Sequence, residues 1–242
     1  MKKPPPLRAL ALLLALAASG SAQAIPLTDL FAGQSITAGD KLFNQWTLLF
    51  QDKSDGTTVK TDNIDVTALN DGGMNPGPGL SFNILNGEFN VSGDGILAYL
   101  DFMFGFHVSV LDPTLKIKDN SLTMGNAFIS YTPDQNNDNG SYIKEKIGTA
   151  AGQNDLGAKN VEFSLLNDAL TSKLTDSAAF APQNEIWVTK NILVWATDVG
   201  DSAGFNSFTQ RFSQVPEPGT LLLFVPAMAA LVGIRRRKTT TA

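Results

Sequence analysis

The chain contains no cysteine among its 242 residues. This absence excludes disulfides, thiol nucleophiles and thiolate metal ligands, so the fold must be held by its apolar core alone. Histidine is nearly absent as well, because His107 is the only one. A zinc site built from two or more imidazoles is therefore excluded, and the chain has no Gly-rich phosphate-binding loop.

Positive charge is scarce outside the two ends of the chain. Of the 18 lysines and arginines, seven lie within the first eight or the last eight residues, whereas all 23 acidic residues lie between those ends. The middle of the chain therefore has eleven basic against 23 acidic residues, a formal charge of −12, and Arg211 is its only arginine. Such a surface repels nucleic acid and anionic polymers unless a cation bridges them, which predicts no nucleic-acid partner.

The N-terminus has the three parts of a secretory signal peptide. Three basic residues lie in the first eight positions, Leu10–Ala18 is a short apolar run, and Ala22 and Ala24 form the small-x-small cleavage pattern. We expect cleavage after Ala24, so that residues 1–24 are removed on export. An uncleaved N-terminal anchor is the less favoured alternative, since the apolar run is too short to cross a bilayer.

The C-terminus, over residues 215–242, has the pattern of a membrane-anchoring tail. Pro216-Glu217-Pro218 resists both helix and sheet, because neither proline has an N–H and each restricts its neighbour. The next run, Gly219–Ile234, carries no charge, and a basic cluster follows it: Arg235, Arg236, Arg237 and Lys238. This order predicts a single transmembrane helix whose basic end stays cytoplasmic. A plain C-terminal anchor with an incidental proline-rich stalk is the alternative.

This tail resembles the PEP-CTERM sorting signal of exported proteins in Gram-negative bacteria. The resemblance rests on Pro216-Glu217-Pro218, Gly219, the short apolar span and the arginine-rich end, about the last tenth of the chain. It implies an inner-membrane-anchored precursor whose tail is recognised and removed by an exosortase, a membrane-embedded cysteine transpeptidase-like enzyme. It also implies an association with exopolysaccharide and biofilm at the cell surface or in the extracellular matrix. Gly39–Phe43 and Trp46 show a weaker similarity to the opening of a recurring cargo domain of this family.

Residues 25–214 have the pattern of one all-β domain. The clearest period lies in Leu100–Val110, where apolar side chains alternate with polar or small ones along a long half-buried strand. Turn pairs such as Asp55-Gly56 and Asn86-Gly87 separate other short strands. We therefore predict an antiparallel β-sandwich, jelly-roll-like in its connections.

Two stretches between these strands have other patterns. Pro133–Gly140 is rich in Asn and Asp and is predicted to be a loop. Asn167–Phe180 is ambiguous, because Leu166, Leu170 and Leu174 fit one face of a helix while Ser, Thr and Asp fill most other positions.

A calcium site is one candidate in and after the Asn/Asp-rich loop. Asp134, Asn136, Asp138 and Glu145 occupy relative positions 1, 3, 5 and 12, the spacing of oxygen ligands in a calcium-binding loop. The usual glycine is misplaced, since Asn139 stands at position 6, and the flanks are predicted strands rather than helices. An ordinary Asx-rich hairpin loop is the alternative, and no other cofactor or metal is predicted.

Residues Gly200–Gly204 read GDSAG and match the G-x-S-x-G pattern of esterases. That pattern needs a strand–turn–helix context and a later histidine, whereas Phe205–Phe212 alternates like a strand and His107 precedes Ser202. An acidic Gly/Ser turn explains the same residues. We therefore predict no catalytic residue and a non-enzymatic protein.

Aromatic side chains suggest an alternative function, because a row of them could stack against sugar rings. The residues concerned are Trp187, Trp195, Tyr131, Tyr142 and Phe102–Phe106. Ordinary core and cross-strand packing is the favoured explanation of these residues. The leading prediction is thus a surface or matrix protein sorted through its tail, and the alternative is a carbohydrate-binding, lectin-like module, with or without calcium.

Overall fold

The computed structural model describes residues 23–133 and 137–217. Within these residues the chain forms sixteen β-strands, one short α-helix and one 3-10 turn at Thr61–Asn63. Several predicted features lie outside the described residues: Ala22, Asp134, Asn136, Pro218, the apolar run Gly219–Ile234, and the basic cluster Arg235, Arg236, Arg237 and Lys238.

The strands follow one another mostly through short turns. The first half contains β1 (Ile25–Pro26), α1 (Leu27–Phe31), β2 (Ile36–Ala38), β3 (Lys41–Lys53), β4 (Ile64–Leu69), β5 (Gly79–Ile84), β6 (Asn90–Ser92), β7 (Ala98–Val110) and β8 (Leu115–Gly125). The second half contains β9 (Phe128–Ser130), β10 (Asp138–Gly148), β11 (Gly157–Leu166), β12 (Ala169–Lys173), β13 (Thr175–Gln183), β14 (Glu185–Ala196), β15 (Ser202–Gly204) and β16 (Ser207–Pro216).

These strands form two large sheets and one small one. The strand order is β1-β4-β5-β16-β8-β13 in the six-stranded sheet, β12-β11-β10-β14-β7-β3-β2 in the seven-stranded sheet and β6-β15-β9 in the three-stranded sheet. Every pairing within the described residues is antiparallel. The predicted all-β, antiparallel fold is therefore confirmed.

The two large sheets pack face to face through aromatic side chains. Ring centroids of Phe43 on β3 and Phe212 on β16 lie 5.4 Å apart, and those of Phe82 on β5 and Phe104 on β7 lie 6.0 Å apart. Trp46 of β3 lies 6.2 Å from Phe82. Because these contacts cross from one sheet to the other, the domain is a two-layer sandwich. The jelly-roll-like connection stays a prediction.

The long alternating strand predicted at Leu100–Val110 is confirmed as β7. It lies between β14 and β3 inside the seven-stranded sheet. Its core-facing side chains are at most 1% exposed: Leu100, Phe102, Phe104, Phe106 and Val108. Burying a large apolar side chain contributes roughly 1.5–3 kcal/mol, so this strand provides much of the hydrophobic stabilisation.

Residues 167–180 form a hairpin and a further strand, and the helical alternative is wrong. Asn167 and Asp168 have φ values of 45° and 63° and form the two-residue turn between β11 and β12. Asn and Asp tolerate this left-handed region better than most other residues, and tight hairpins require it. Leu166, Leu170 and Leu174 are 40%, 62% and 37% exposed, so their helical spacing buries no apolar face.

The predicted loop at Pro133–Gly140 is shorter than expected, because β10 begins at Asp138. Asp138 pairs with Leu166 of β11, and Gly140 pairs with Trp195 of β14. The last three residues of the predicted loop are therefore strand, which gives Asp138 an extended backbone instead of the curved one of a calcium-binding loop.

Among residues 23–133 and 137–217, no helix is both long and apolar enough to cross a bilayer. The predicted signal peptide and the predicted transmembrane helix fall almost entirely outside these ranges. The last strand, β16, ends at Pro216 and is continuous with the predicted sorting motif.

We expect Phe106→Ala to lower the free energy of unfolding by about 3–5 kcal/mol, because it empties a fully buried site between the sheets. Urea unfolding of residues 25–217, followed by tryptophan fluorescence, measures the loss. Leu170→Ala is the matched control, and at 62% exposure it should change stability by no more than about 0.5 kcal/mol. Equal losses in the two variants would contradict the assignment of β7 to the core.

Candidate functional site

The outer face of the seven-stranded sheet carries polar and aromatic side chains in register across its central strands. Asp101 of β7 pairs with Leu193 of β14, and Leu193 pairs with Tyr142 of β10. One step along the strands on the same face, Met103, Asn191 and Lys144 form a second row. Side chains two residues apart on a strand share a face, so these rows belong to one continuous surface.

Two adjoining depressions on this outer face form what we call the central trough. One has a volume of about 270 Å³ and the other about 220 Å³, and Thr189 lines both. Their further lining residues include Met103, Lys144, Lys146 and Asn191 on one side and Gln45, Leu49, Gly105 and Trp187 on the other. The depressions together offer apolar contact beside amide, hydroxyl and ammonium groups.

Gly105 forms part of the floor of the central trough. A Cβ at this position would lie 3.1 Å from the Val188 carbonyl oxygen and 3.7 Å from Leu49 Cδ1. A side chain here would crowd the neighbouring strands and occupy space within the trough. The absence of a side chain at Gly105 therefore helps to keep the trough open.

The charge around the central trough differs from that of the domain as a whole. Lys144 and Lys146 project from β10, and neither forms an ion pair with a residue of the described chain. The Lys144 ammonium lies 4.0 Å above the Tyr142 ring, a cation–π contact. Partial burial raises the pKa of Asp101, although its hydrogen bond from Asn191 at 2.7 Å opposes the shift. The described lining of the trough thus contains two ammonium groups and no carboxylate, whereas Asp101 and Glu162 lie beside Tyr142 at its edge.

The predicted aromatic platform is divided between this outer face and the core. Trp187 and Tyr142 are partly exposed on the outer face, and Tyr142 lies 6.0 Å from the Trp195 ring. Trp195 is only 9% exposed and donates its indole N–H to Asp138 at 2.6 Å. Phe102, Phe104 and Phe106 face the core. The residues between them, Met103 and Gly105, line the trough. Tyr131 lies apart, in the segment after β9.

The predicted calcium residues are not brought together by the described structure. Asp138 and Glu145 both lie on β10, seven residues or about 23 Å apart, with side chains on opposite faces. Asp138 accepts the Trp195 hydrogen bond, whereas Glu145 is 1% exposed in the core. Glu145 therefore does not lie beside Asp138, as the calcium prediction required, because both residues belong to one extended strand.

The GDSAG segment lies far from the only histidine. Ser202 begins β15, and the buried Asp201 accepts hydrogen bonds from the Thr132 N–H at 3.0 Å and from Asn139 at 2.6 Å. This segment lies near the Ala98 end of β7, because Asn139, which donates to Asp201, also accepts from the Thr197 N–H, and the preceding residue Ala196 pairs with Ala98. His107 is nine residues further along β7, about 30 Å away.

His107 is held by neighbouring side chains on the outer face. Its Nδ1 lies 3.0 Å from Asn44 Oδ1, its Nε2 lies 3.3 Å from Glu185, and its ring contacts Trp187 at 4.9 Å between centroids. The structure therefore does not bring Ser202 and His107 together.

The first two residues of the predicted sorting motif contact the folded domain. Pro216 pairs with Leu115 at the end of β16. The Glu217 N–H donates to the Thr114 carbonyl at 2.7 Å, and its carboxylate lies 3.0 Å from the Lys116 ammonium. This ion pair is substantially exposed, so it contributes at most about 1 kcal/mol.

Sequence reasoning missed a buried polar cluster centred on Glu145. The carboxylate accepts hydrogen bonds from Lys159 at 2.6 Å and from Lys190, and both lysines belong to the same sheet as Glu145. From the opposite sheet, Asn120 and Gln210 each donate to the same carboxylate at 2.9 Å. The charged side chains of the cluster are fully buried, so Glu145 links the two layers of the sandwich.

Burial and mutual charge set the ionisation of this cluster. Burial acts to raise the pKa of Glu145, but the two lysines outweigh it and hold the pKa below its usual value. Burial lowers the pKa of Lys159, and it lowers the pKa of Lys190 to about 8, in both cases against the attraction of Glu145. The burial of Glu145 could have been predicted from the strand alternation, since Glu145 shares its face of β10 with Ile143 and Ile147.

No protein-family model matches the chain, and no curated protein matches it. The chain is similar to several solved structures. One is the carbohydrate-binding module TmCBM61 in complex with β-1,4-galactotriose, with 13% identity over 72% of this chain and 89% of that chain and a TM-score of 0.24. Another is the enzymatically active domain of bacteriophage CBA120 tailspike protein 4, at 13% identity over 70% of this chain and 19% of that chain, with a TM-score of 0.24. These TM-scores are too low for either likeness to indicate the function of this chain.

We expect Glu145→Gln to lower the free energy of unfolding by about 3–5 kcal/mol, because it leaves buried lysines without their counter-charge. Urea unfolding measures the loss, with Glu162→Gln, a partly exposed carboxylate of β11, as the control. The loss should be the same in calcium and in a chelator. A stabilisation by calcium that disappears in Glu145→Gln would instead restore Glu145 as a calcium ligand.

Proposed function

We propose that this protein is an exported, non-enzymatic surface or matrix protein that an exosortase sorts and processes through Pro216-Glu217-Pro218. The observation that carries the proposal is the order of three chemically distinct pieces at the end of the chain. The motif is followed by the uncharged run Gly219–Ile234 and then by the basic cluster 235–238. A bilayer accepts the uncharged run, and the basic residues keep the end of the chain cytoplasmic.

In this proposal the signal peptide directs the chain across the inner membrane, and the tail holds the precursor there. The exosortase then removes the tail, and the sandwich is released or attached at the cell surface or in the extracellular matrix. Because β16 ends at Pro216, little chain separates the folded domain from the anchor. The motif would therefore lie close to the membrane surface, where a membrane-embedded enzyme acts.

We expect Glu217→Ala to leave the precursor unprocessed in the membrane, because the variant removes the only acidic group of the motif. Membrane fractionation and immunoblotting in an exosortase-containing host would show full-length chain in the membrane and little in the medium or at the surface. Lys116→Ala is the matched control, since it removes the Glu217 ion pair but keeps the motif. Normal processing of Glu217→Ala would count against sorting through this motif.

Carbohydrate binding by the central trough is a second candidate function. The supporting observation is the combination of Trp187 and Met103 with the polar groups of Thr189, Asn191 and Lys144 on an open sheet face. Apolar sugar faces stack on aromatic rings, and amide, hydroxyl and ammonium groups bind sugar hydroxyls. The two lysines without ion pairs favour a polysaccharide that carries negative charge. Such a ligand fits a proposed location among exopolysaccharides.

We expect Trp187→Ala to weaken glycan binding by about tenfold or more, which corresponds to about 1.4 kcal/mol. A glycan array with residues 25–217 would identify the ligand, and titration calorimetry would then compare variants. Tyr131→Ala, an aromatic deletion outside the trough, should keep the affinity of the parent chain. If the parent chain binds no glycan, this second function is wrong while the sorting proposal stands.

A further inference from the structure

The buried cluster around Glu145 contains both partners of an amide-forming reaction. Lys159 Nζ and Asn120 Nδ2 donate to the same carboxylate oxygen, Glu145 Oε1, at 2.6 and 2.9 Å. The two nitrogens therefore lie no more than 5.5 Å apart, the sum of those two distances. Lys159 belongs to β11 of the seven-stranded sheet and Asn120 to β8 of the six-stranded sheet. An amine and a carboxamide thus face each other across the core.

The charges of this cluster do not balance. Lys159 and Lys190 are two potential cations, whereas Glu145 is the only carboxylate bonded to either of them among the described residues. An uncompensated ammonium is costly in an apolar interior, so burial favours loss of a proton from one lysine. A neutral amine is a nucleophile, whereas an ammonium is not. The core therefore favours the reactive form of a lysine next to a carboxamide.

We propose that Lys159 and Asn120 form an intramolecular isopeptide bond in the folded protein, with Glu145 as the group that transfers protons. Lys159 Nζ gives a proton to Glu145 and attacks Cγ of Asn120, forming the new C–N bond. Glu145 gives that proton to Nδ2 and takes up the surplus proton of the new amine. The Cγ–Nδ2 bond then breaks as the C=O bond re-forms, and the leaving ammonia takes the second proton from Glu145 and departs as an ammonium ion.

The atoms and charges of this reaction balance without any further reactant. A lysine ammonium and an asparagine carboxamide are consumed, and a secondary amide and an ammonium ion are formed. Glu145 ends as the carboxylate with which it began. No electron is transferred, so neither an oxidant nor a reductant is required.

The geometry selects Lys159 over Lys190 as the amine. Lys190 bonds to the second carboxylate oxygen, Oε2, whereas Lys159 and the carboxamides of Asn120 and Gln210 all bond to Oε1. We take Asn120 as the carbonyl partner, and the peptide map separates it from Gln210. Lys190 also lies 5.2 Å from the centre of the Phe208 ring, which holds its ammonium by a cation–π contact. Exclusion of water from the core protects the carboxamide from competing hydrolysis.

The bond would have a clear structural effect. It would replace one surplus buried cation by a neutral amide and leave Glu145 paired with Lys190 alone. It would also join β8 to β11, so that the two sheets could not separate. β8 pairs with β16, the strand that leads to the proposed membrane anchor. In a chain without cysteine, this cross-link would take the place of a disulfide.

Intact-mass spectrometry of the full chain, purified folded and then denatured, tests the proposal. We expect a mass lower by one ammonia than the processed sequence requires. Trypsin should then release residues 119–144 covalently joined to residues 147–173, because a cross-linked Lys159 resists cleavage. Cyclisation at Asn86-Gly87 or Asn139-Gly140 would also lose ammonia, but it would join no two peptides.

Matched variants identify the partners. Lys159→Met and Asn120→Ala should abolish the cross-linked peptide, and Glu145→Gln should abolish it or slow its formation. Lys190→Met and Gln210→Ala, which remove the second amine and the second carboxamide, should retain it. Circular dichroism shows which variants fold. Whether the cross-link forms at all is decided by the parent chain, so a variant that fails to fold does not affect that result. An unmodified parent mass in folded protein, or a cross-link that joins Gln210 to Lys159 or to Lys190, would overturn the proposal.

Discussion

The structure depends on one buried carboxylate that binds groups from both layers of the sandwich. Glu145 is bonded to two lysines of its own sheet and to two carboxamides of the other. Such a cluster tolerates little displacement, because any lost partner leaves a polar group unpaired in an apolar interior. A shift of β10 by one residue would turn Glu145 to solvent and bring Lys144 or Lys146 into the core. The cluster therefore fixes the register of β10 as well as the position of the two sheets.

The two faces of the seven-stranded sheet have separate roles. The inner face supplies the aromatic core and the Glu145 cluster, and the outer face is free to carry the central trough. Because side chains alternate between the faces, Lys144 and Lys146 lie on the outside while Glu145 between them lies inside. One short segment thus contributes both to the buried cluster and to the lining of the central trough. The proposed sorting motif begins at the opposite sheet, at the end of β16.

Much of the fold was predictable from strand periodicity. The alternation in Leu100–Val110 identified β7. The turn pairs Asp55-Gly56 and Asn86-Gly87 lie between strands as predicted, but they close no hairpin, because the strands on either side of each pair lie in different sheets. The errors lie where local spacing permits two structures. Leu166, Leu170 and Leu174 fit a helix, but the left-handed conformation of Asn167 and Asp168 turns the chain into a hairpin. Asp138 and Glu145 fit the spacing of a calcium loop, but an extended β10 separates them.

The sequence by itself determined the all-β class, the acidic middle, the absence of thiol chemistry and the order of pieces at both ends. These properties depend on composition and on patterns within short stretches of chain. Only the tertiary structure decided the partners of Glu145, because Asn120, Lys159, Lys190 and Gln210 lie on four other strands. It also decided which aromatic residues are buried in the core and which line the trough. Sheet order and register bring distant residues together, and no local pattern encodes them.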